Sequence, residues 1–154
     1  SKKLSADQRE RLAPKILREA LATGVAHIPP ATIDEINILQ ASLQAMHRAL
    51  DQLGMRPEAI AVDGNRFLPY EGIPYQCLVR GDGRYLNIAA ASVLAKTARD
   101  ARMRELHREY PQYGWDRNKG YPTREHREAL RKHGPSPYHR QSFRLLPEQL
   151  KFRF

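Results

Sequence analysis

Ala59-Ile60-Ala61-Val62-Asp63-Gly64-Asn65 and Gln76-Cys77-Leu78-Val79-Arg80-Gly81-Asp82-Gly83 decide how this chain is read. Each carries a short apolar run, the pattern of a strand covered on both faces; the first ends abruptly at Asp63-Gly64-Asn65 and the second at Arg80-Gly81-Asp82-Gly83. If the two strands run parallel, Asp63 and Asp82 emerge at the same sheet edge, close enough to share divalent cations. If they run antiparallel, the carboxylates lie at opposite ends and cannot cooperate. An Asp-Gly pair after a strand is also the strongest local signal for a tight turn, so each aspartate has a plain structural reading beside the chemical one. What favours chemistry is the pair, together with the segment after Asp82.

That segment, Asn87 to Tyr110, reads as the longest helix. Its first half, Ile88-Ala89-Ala90-Ala91-Ser92-Val93-Leu94-Ala95, is nearly uncharged and rich in small side chains, and so should lie close against the sheet. Its second half, with Arg99, Asp100, Arg102, Arg104, Glu105, Arg108 and Glu109, reads as a solvated face. Residues 111–122 form a loop with three aromatics, followed by a helix from Thr123 to about His133, closed by Gly134-Pro135, and a basic tail through Phe143.

Toward the N-terminus, Ser5 with Gln8 has the form of a capping box, and Leu12, Ile16, Leu17 and Leu21 supply an apolar face, which predicts a helix over residues 5–22. Pro14 predicts a kink or a late start, and Gly24 a C-cap. Val25 to Ile28 reads as a short strand ended by Pro29-Pro30. Thr32 with Glu35 repeats the capping box, and Leu39, Leu43, Met46, Leu50 and Leu53 form a stripe on the helix that follows.

The 154 residues carry 26 Lys and Arg against 17 Asp and Glu, a net charge of +9. The surplus favours a polyanionic partner, because neutralising phosphates releases counterions. Aromatics interleaved with Arg and Lys in the C-terminal third add stacking surfaces suited to sugars and bases. No apolar run approaches the roughly 18–20 residues a membrane span requires, and the Lys-rich start lacks a secretory signal, so the expected compartment is the cytoplasm. A single cysteine, Cys77, excludes an internal disulfide and a Cys-rich zinc site. His107, His126 and His133 show no zinc spacing with a second soft ligand. Carboxylate oxygens suit Mg²⁺ or Mn²⁺, and phosphodiester hydrolysis is the natural use of a pair of such ions.

The chain resembles bacterial ribonuclease HII in the order and spacing of several motifs: Ser1-Lys2-Lys3-Leu4-Ser5, Val62-Asp63-Gly64-Asn65, Gly81-Asp82 followed by Ile88 to Lys96 and Arg99-Asp100, Tyr110-Pro111-Gln112-Tyr113-Gly114, Lys119-Gly120-Tyr121-Pro122-Thr123 with His126, and His139-Arg140 with Ser142-Phe143. The match covers roughly residues 1–145. The resemblance implies an α/β, RNase H-like mixed sheet flanked by helices with a helical C-terminal part. All 154 residues then belong to a single domain, incomplete at its N-terminus, in which 111–145 form a substrate-facing loop, helix and basic tail. It implies metal-dependent cleavage of the RNA strand of RNA–DNA hybrids and at single ribonucleotides embedded in duplex DNA, by a protein that is a monomer when intact and acts off the membrane. Asp63 and Asp82 match two of the family's four metal-binding carboxylates, and Tyr121 matches a tyrosine that packs on the sugar at the RNA-to-DNA junction. Lys3, Asn65, Lys119, His139, Arg140 and Ser142 fall in segments near the substrate backbone.

The family's Asp-Glu pair and Gly-Arg-Gly stand upstream of the Ser-Lys-Lys-Leu segment, where the given sequence starts, and the first strands of the sheet would lie there too. On the given residues alone, two carboxylates carry less negative charge than two cations call for, which leaves a non-cleaving, basic nucleic-acid-binding fragment as the alternative expectation. Tyr121 also has a plain reading as an ordinary loop aromatic under the last helix, and His139 and Arg140 as a solvated basic face.

Overall fold

The computed structural model describes residues 4–143 and 145–146; Lys3 lies outside them. The order of elements is α1 (Ala6–Glu19), α2 (Pro30–Asp51), β1 (Ile60–Asp63), β2 (Tyr75–Leu78), a 3-10 turn (Gly81–Gly83), α3 (Leu86–Glu109), a second 3-10 turn (Pro111–Tyr113), α4 (Trp115–Asn118) and α5 (Arg124–His133). Two compact units result. One takes Leu43–Arg99 with the segment before Ile28, the other Ile28–Ser42 with the segment from Asp100 onward.

In the first unit β1 and β2 pair in parallel, with Ile60 opposite Tyr75 and Asp63 opposite Leu78. Parallel strands need a crossover, and the intervening segment folds back over one face through Phe67 and Ile73. These two side chains join Ile60 and Val62 in a core flanked by Met46, Leu50, Tyr70 and Cys77. Leu43 of the predicted stripe is buried, and Leu39 at its start is partly exposed. The expected burial of the strands on both faces is not what forms. Burial alternates along β1, with Ala61 and Asp63 exposed, and Val79 beyond β2 is largely exposed as well. Small Ala59 and Ala61 made the run look continuous, although only alternate positions carry the branched residues that fill this core.

The N-terminal half corrects several expectations. The Ser5–Gln8 capping box forms, but α1 runs straight through Pro14 without a late start and ends at Glu19, with Ala20 in an extended C-cap. Gly24 is not the cap. A Cβ there would come within 2.0 Å of the Ala49 carbonyl oxygen, so glycine is needed for close approach to α2. The helix buries Ala13, not the leucine face; Leu21, beyond its end, is 94% exposed. Val25 to Ile28 forms no strand, and the Val25 N–H donates to Gln52 Oε1 instead. Pro30 starts α2, which moves Thr32 inside the first turn, away from the expected capping position. The helix is broken at Asn37, which holds φ 68° and ψ 166°. This costly conformation is offset because its Oδ1 accepts from Leu39 N and Gln40 N at 3.0 and 3.1 Å, making Asn37 the N-cap of the second half.

Within the first unit, Ile88, Val93 and Leu94 of α3 are buried, as the small-residue run predicted. In the second unit Asp100 is only 9% exposed, so the solvated face of α3 begins after it. The core here joins Leu106, Tyr113, Trp115 and Leu130, with Met103, Tyr110, Ala129 and Tyr138 around them. The predicted loop over 111–122 is mostly helical turns, and α5 follows the expected bounds, with Thr123 accepting from His126 N and Gly134 closing its end. No helix among the described residues is long and apolar enough to cross a membrane.

Candidate active site

Parallel register decides the placement of the two aspartates. Because β1 and β2 run the same way, Asp63 at the end of β1 and the turn that follows β2 leave the sheet at one edge. The contact is direct: Gly81 N donates to Asp63 Oδ1 at 2.9 Å, and Asp82 is the next residue. Asp63 is exposed, and its other oxygen is not engaged by any described residue. Gly64, at φ 111°, turns the chain away from the edge, and its N–H continues the ladder to Leu78 O at 3.2 Å. Asn65 is exposed just beyond.

Gly81 permits this arrangement. A Cβ there would meet Ile88 Cδ1 at 2.6 Å, so α3 packs directly behind the turn that carries Asp82. In donor type, the carboxylate oxygens of Asp63 and Asp82 are hard ligands of the kind that Mg²⁺ and Mn²⁺ take. Among the described residues no group of three or more His, Cys, Asp or Glu gathers at this edge or elsewhere.

The other candidates belong to the second unit. Tyr121 is 61% exposed, yet its backbone is fixed: its N–H donates to Asn118 O at 2.8 Å, and its carbonyl accepts from Thr123 N at 2.8 Å and from His126 Nδ1 at 3.0 Å. Lys119, at φ 50°, directs its ammonium to the Asp116 carbonyl. Buried Asn118 holds the loop from within, donating to Tyr113 O at 2.6 Å and accepting from Gly120 N at 2.8 Å. Arg140 places its guanidinium 3.7 Å from the centre of the Phe143 ring. Gln141 N, Ser142 N and the Ser142 hydroxyl all donate to Asp34. The Asp34 carboxyl is shifted below the usual value of 3.8: burial acts to raise it, but the Ser142 and Gln141 hydrogen bonds and the nearby Arg140 charge outweigh that.

His139 is the clear correction. It was expected beside the substrate backbone, and it is 7% exposed, inside the aromatic cluster. Its Nδ1 accepts from Ser136 N at 2.9 Å, and its Nε2 meets His126 Nε2 at 3.1 Å, so both ring nitrogens are taken inside the protein. Burial first, and the adjacent His126 second, push its pKa down from 6.5 to about 4. Sequence reasoning missed Asp34, and although His126 stands in the motif that carries the resemblance, its pairing with His139 was not read.

The family model for Ribonuclease HII matches residues 1–146. The chain is 59% identical over 154 residues to the ribonuclease HII of Parabacteroides distasonis, covering all of this chain and 77% of that protein. It is 56% identical over 154 residues to the ribonuclease HII of Christiangramia forsetii, covering all of this chain and 78% of that one. Its fold is similar to the crystal structure of ribonuclease H2 from Pyrococcus horikoshii OT3, with a TM-score of 0.76 and 26% identity over 93% of this chain and 75% of that one.

Proposed function

The chain belongs to the ribonuclease HII family and is a type 2 ribonuclease H, a divalent-metal-dependent endonuclease acting on RNA–DNA hybrids; from that premise we propose the finer reading that Asp63 and Asp82 hold Mg²⁺ or Mn²⁺ and that the substrates include single ribonucleotides embedded in duplex DNA. One observation carries the reading: the Asp63 carboxylate is hydrogen-bonded to the backbone of the turn that bears Asp82. That contact supports the reading by joining Asp63 to the backbone of the turn in which Asp82 lies.

The family's bound cations supply the activation of water and the stabilisation of the departing 3′-oxygen. The chain's own part is to hold donors and substrate. Gly81 N–H fixes one oxygen of Asp63 and leaves the other for a ligand. In this reading the Tyr121 ring takes a nucleotide sugar at the RNA-to-DNA junction, and Asn65, Lys119, Arg140, Ser142 and Lys3, the last outside the described residues, serve the phosphate backbone. The segment 111–145 is in this reading the substrate-facing part, and the enzyme works as a cytoplasmic monomer. A surplus of +9 charges supports attraction to a polyanion over a broad surface.

A duplex with one embedded ribonucleotide tests the reading. With Mg²⁺ or Mn²⁺ a single nick should appear, and a chelator should remove it. Asp63→Asn and Asp82→Asn should each abolish the nick while leaving a salt-sensitive mobility shift; turnover retained in both variants refutes the assignment.

A further inference from the structure

The buried pair His126 and His139 has no part in the reading above, and the directions of its hydrogen bonds can be worked out from partners that have only one option. Ser136 N can only donate, so His139 Nδ1 is an acceptor, at 2.9 Å. A neutral His139 ring then carries its proton on Nε2 and donates it to His126 Nε2 at 3.1 Å. The Tyr121 carbonyl can only accept, so His126 carries its proton on Nδ1 and donates it at 3.0 Å. Trp115 Nε1–H, 3.4 Å from His126 Nε2, points a second donor at the same lone pair and reinforces this tautomer. Each ring has one proton, and two lone pairs are shared: His139 Nδ1 faces both Ser136 N and the Ser136 hydroxyl at 2.9 Å, and His126 Nε2 faces both His139 and Trp115.

The chain therefore runs in one direction, from Ser136 through both rings to the backbone of Tyr121. Both rings are walled by Tyr113 and Trp115, the latter only 2% exposed, so water does not compete for these bonds. An apolar pair would fill the same space, but it would leave the His126 bond to the carbonyl unmade. Tyr121 itself is the exposed end of the arrangement, fixed at its N–H and its carbonyl.

We propose that the Ser136–His139–His126 chain of hydrogen bonds is a positioning device for Tyr121, fixing the direction in which that ring meets the substrate sugar. The inference rests on the substrate role assigned to Tyr121 above. His126 and His139 are positioning residues, acting only through that ring.

A double-substitution cycle separates positioning from plain stability. On a junction substrate, His126→Leu should lower kcat about tenfold with a smaller change in KM, since a misdirected contact costs rate in this way. His126→Asn, whose amide nitrogen lies near the Nδ1 position, should recover much of the loss. In a Tyr121→Ala background His126→Leu should change kcat less than about twofold, although melting falls by the same amount in both backgrounds. The same fractional loss of kcat in both backgrounds overturns the inference. Full activity of Tyr121→Ala overturns the Tyr121 reading itself, and the inference with it. Should His126→Leu fail to fold, nitrogen-detected NMR of the unsubstituted protein decides: the proton is expected on Nδ1 of His126 and Nε2 of His139, and a proton on Nε2 of His126 overturns the proposal.

Discussion

The acidic edge of the first unit and the aromatic cluster of the second hold the groups proposed to act there by opposite means. Asp63 sits in the open and is fixed by one backbone N–H. Tyr121 is as exposed, but a stack of buried rings and a directed run of imidazoles stand behind it. In the proposed reading, a carboxylate on a short Asp side chain has few rotamers, so fixing its backbone at the strand end goes far toward fixing the donor. A ring that must meet a sugar face-on needs its backbone fixed, and fixing a loop backbone takes packing. The comparison teaches that substitutions at the edge should damage chemistry and spare the fold, whereas those in the cluster should lower stability and reach the rate only through Tyr121.

The strongest test of this contrast is Asp63→Asn. It should lower kcat by about 10³-fold or more, the scale of removing a principal charge-stabilising group, with the melting temperature nearly unchanged. A parallel fall in melting would mean that the edge also holds the fold. Trp115→Ala should do the opposite. Emptying the most buried large side chain of the second unit should cost about 3–5 kcal/mol in a denaturant titration.

The pH dependence sharpens the comparison, because it should come from the cluster. His139 stays neutral in the folded protein down to about pH 4, whereas the unfolded ring takes its proton near 6.5. Between these values the unfolded state binds more protons. Stability is therefore complete above pH 6.5 and declines as pH falls toward 4, by roughly 1 kcal/mol per pH unit at the steepest. His139→Phe should flatten melting temperature against pH across that window; an unchanged curve would show that the ring is not held neutral. The smallest effect expected is that of Asp34→Asn, which weakens the clasp on Gln141 and Ser142. About 1 kcal/mol of stability should be lost at neutral pH, where the carboxylate's hydrogen bonds are fully present, and the difference from the unsubstituted protein should vanish as pH falls below 3.8.

Much of this was legible along the chain. The two strands, the long helix after Asp82, the Ser5–Gln8 capping box and the Thr123 start of α5 all rest on neighbours within a few residues, where periodicity and capping act. The failures share a cause. Leu12, Leu17 and Leu21 have the spacing of a buried face, but spacing cannot say whether anything covers it. The break at Asn37 reads as helix because the amide that caps the second half belongs to a residue helices tolerate. His139 reads as a basic surface residue because its partner His126 lies on a different element, and only the folded chain brings them to 3.1 Å.

The amino-acid order by itself determined the two acidic strand ends, the small-residue helix behind them and the family to which they point, since each is a matter of local pattern. Only the tertiary structure decided that the strands run parallel, which sets Asp63 against the turn of Asp82, and that His139 is a neutral interior ring. Strand direction and burial depend on what packs against an element from far along the chain, and no local pattern carries that information.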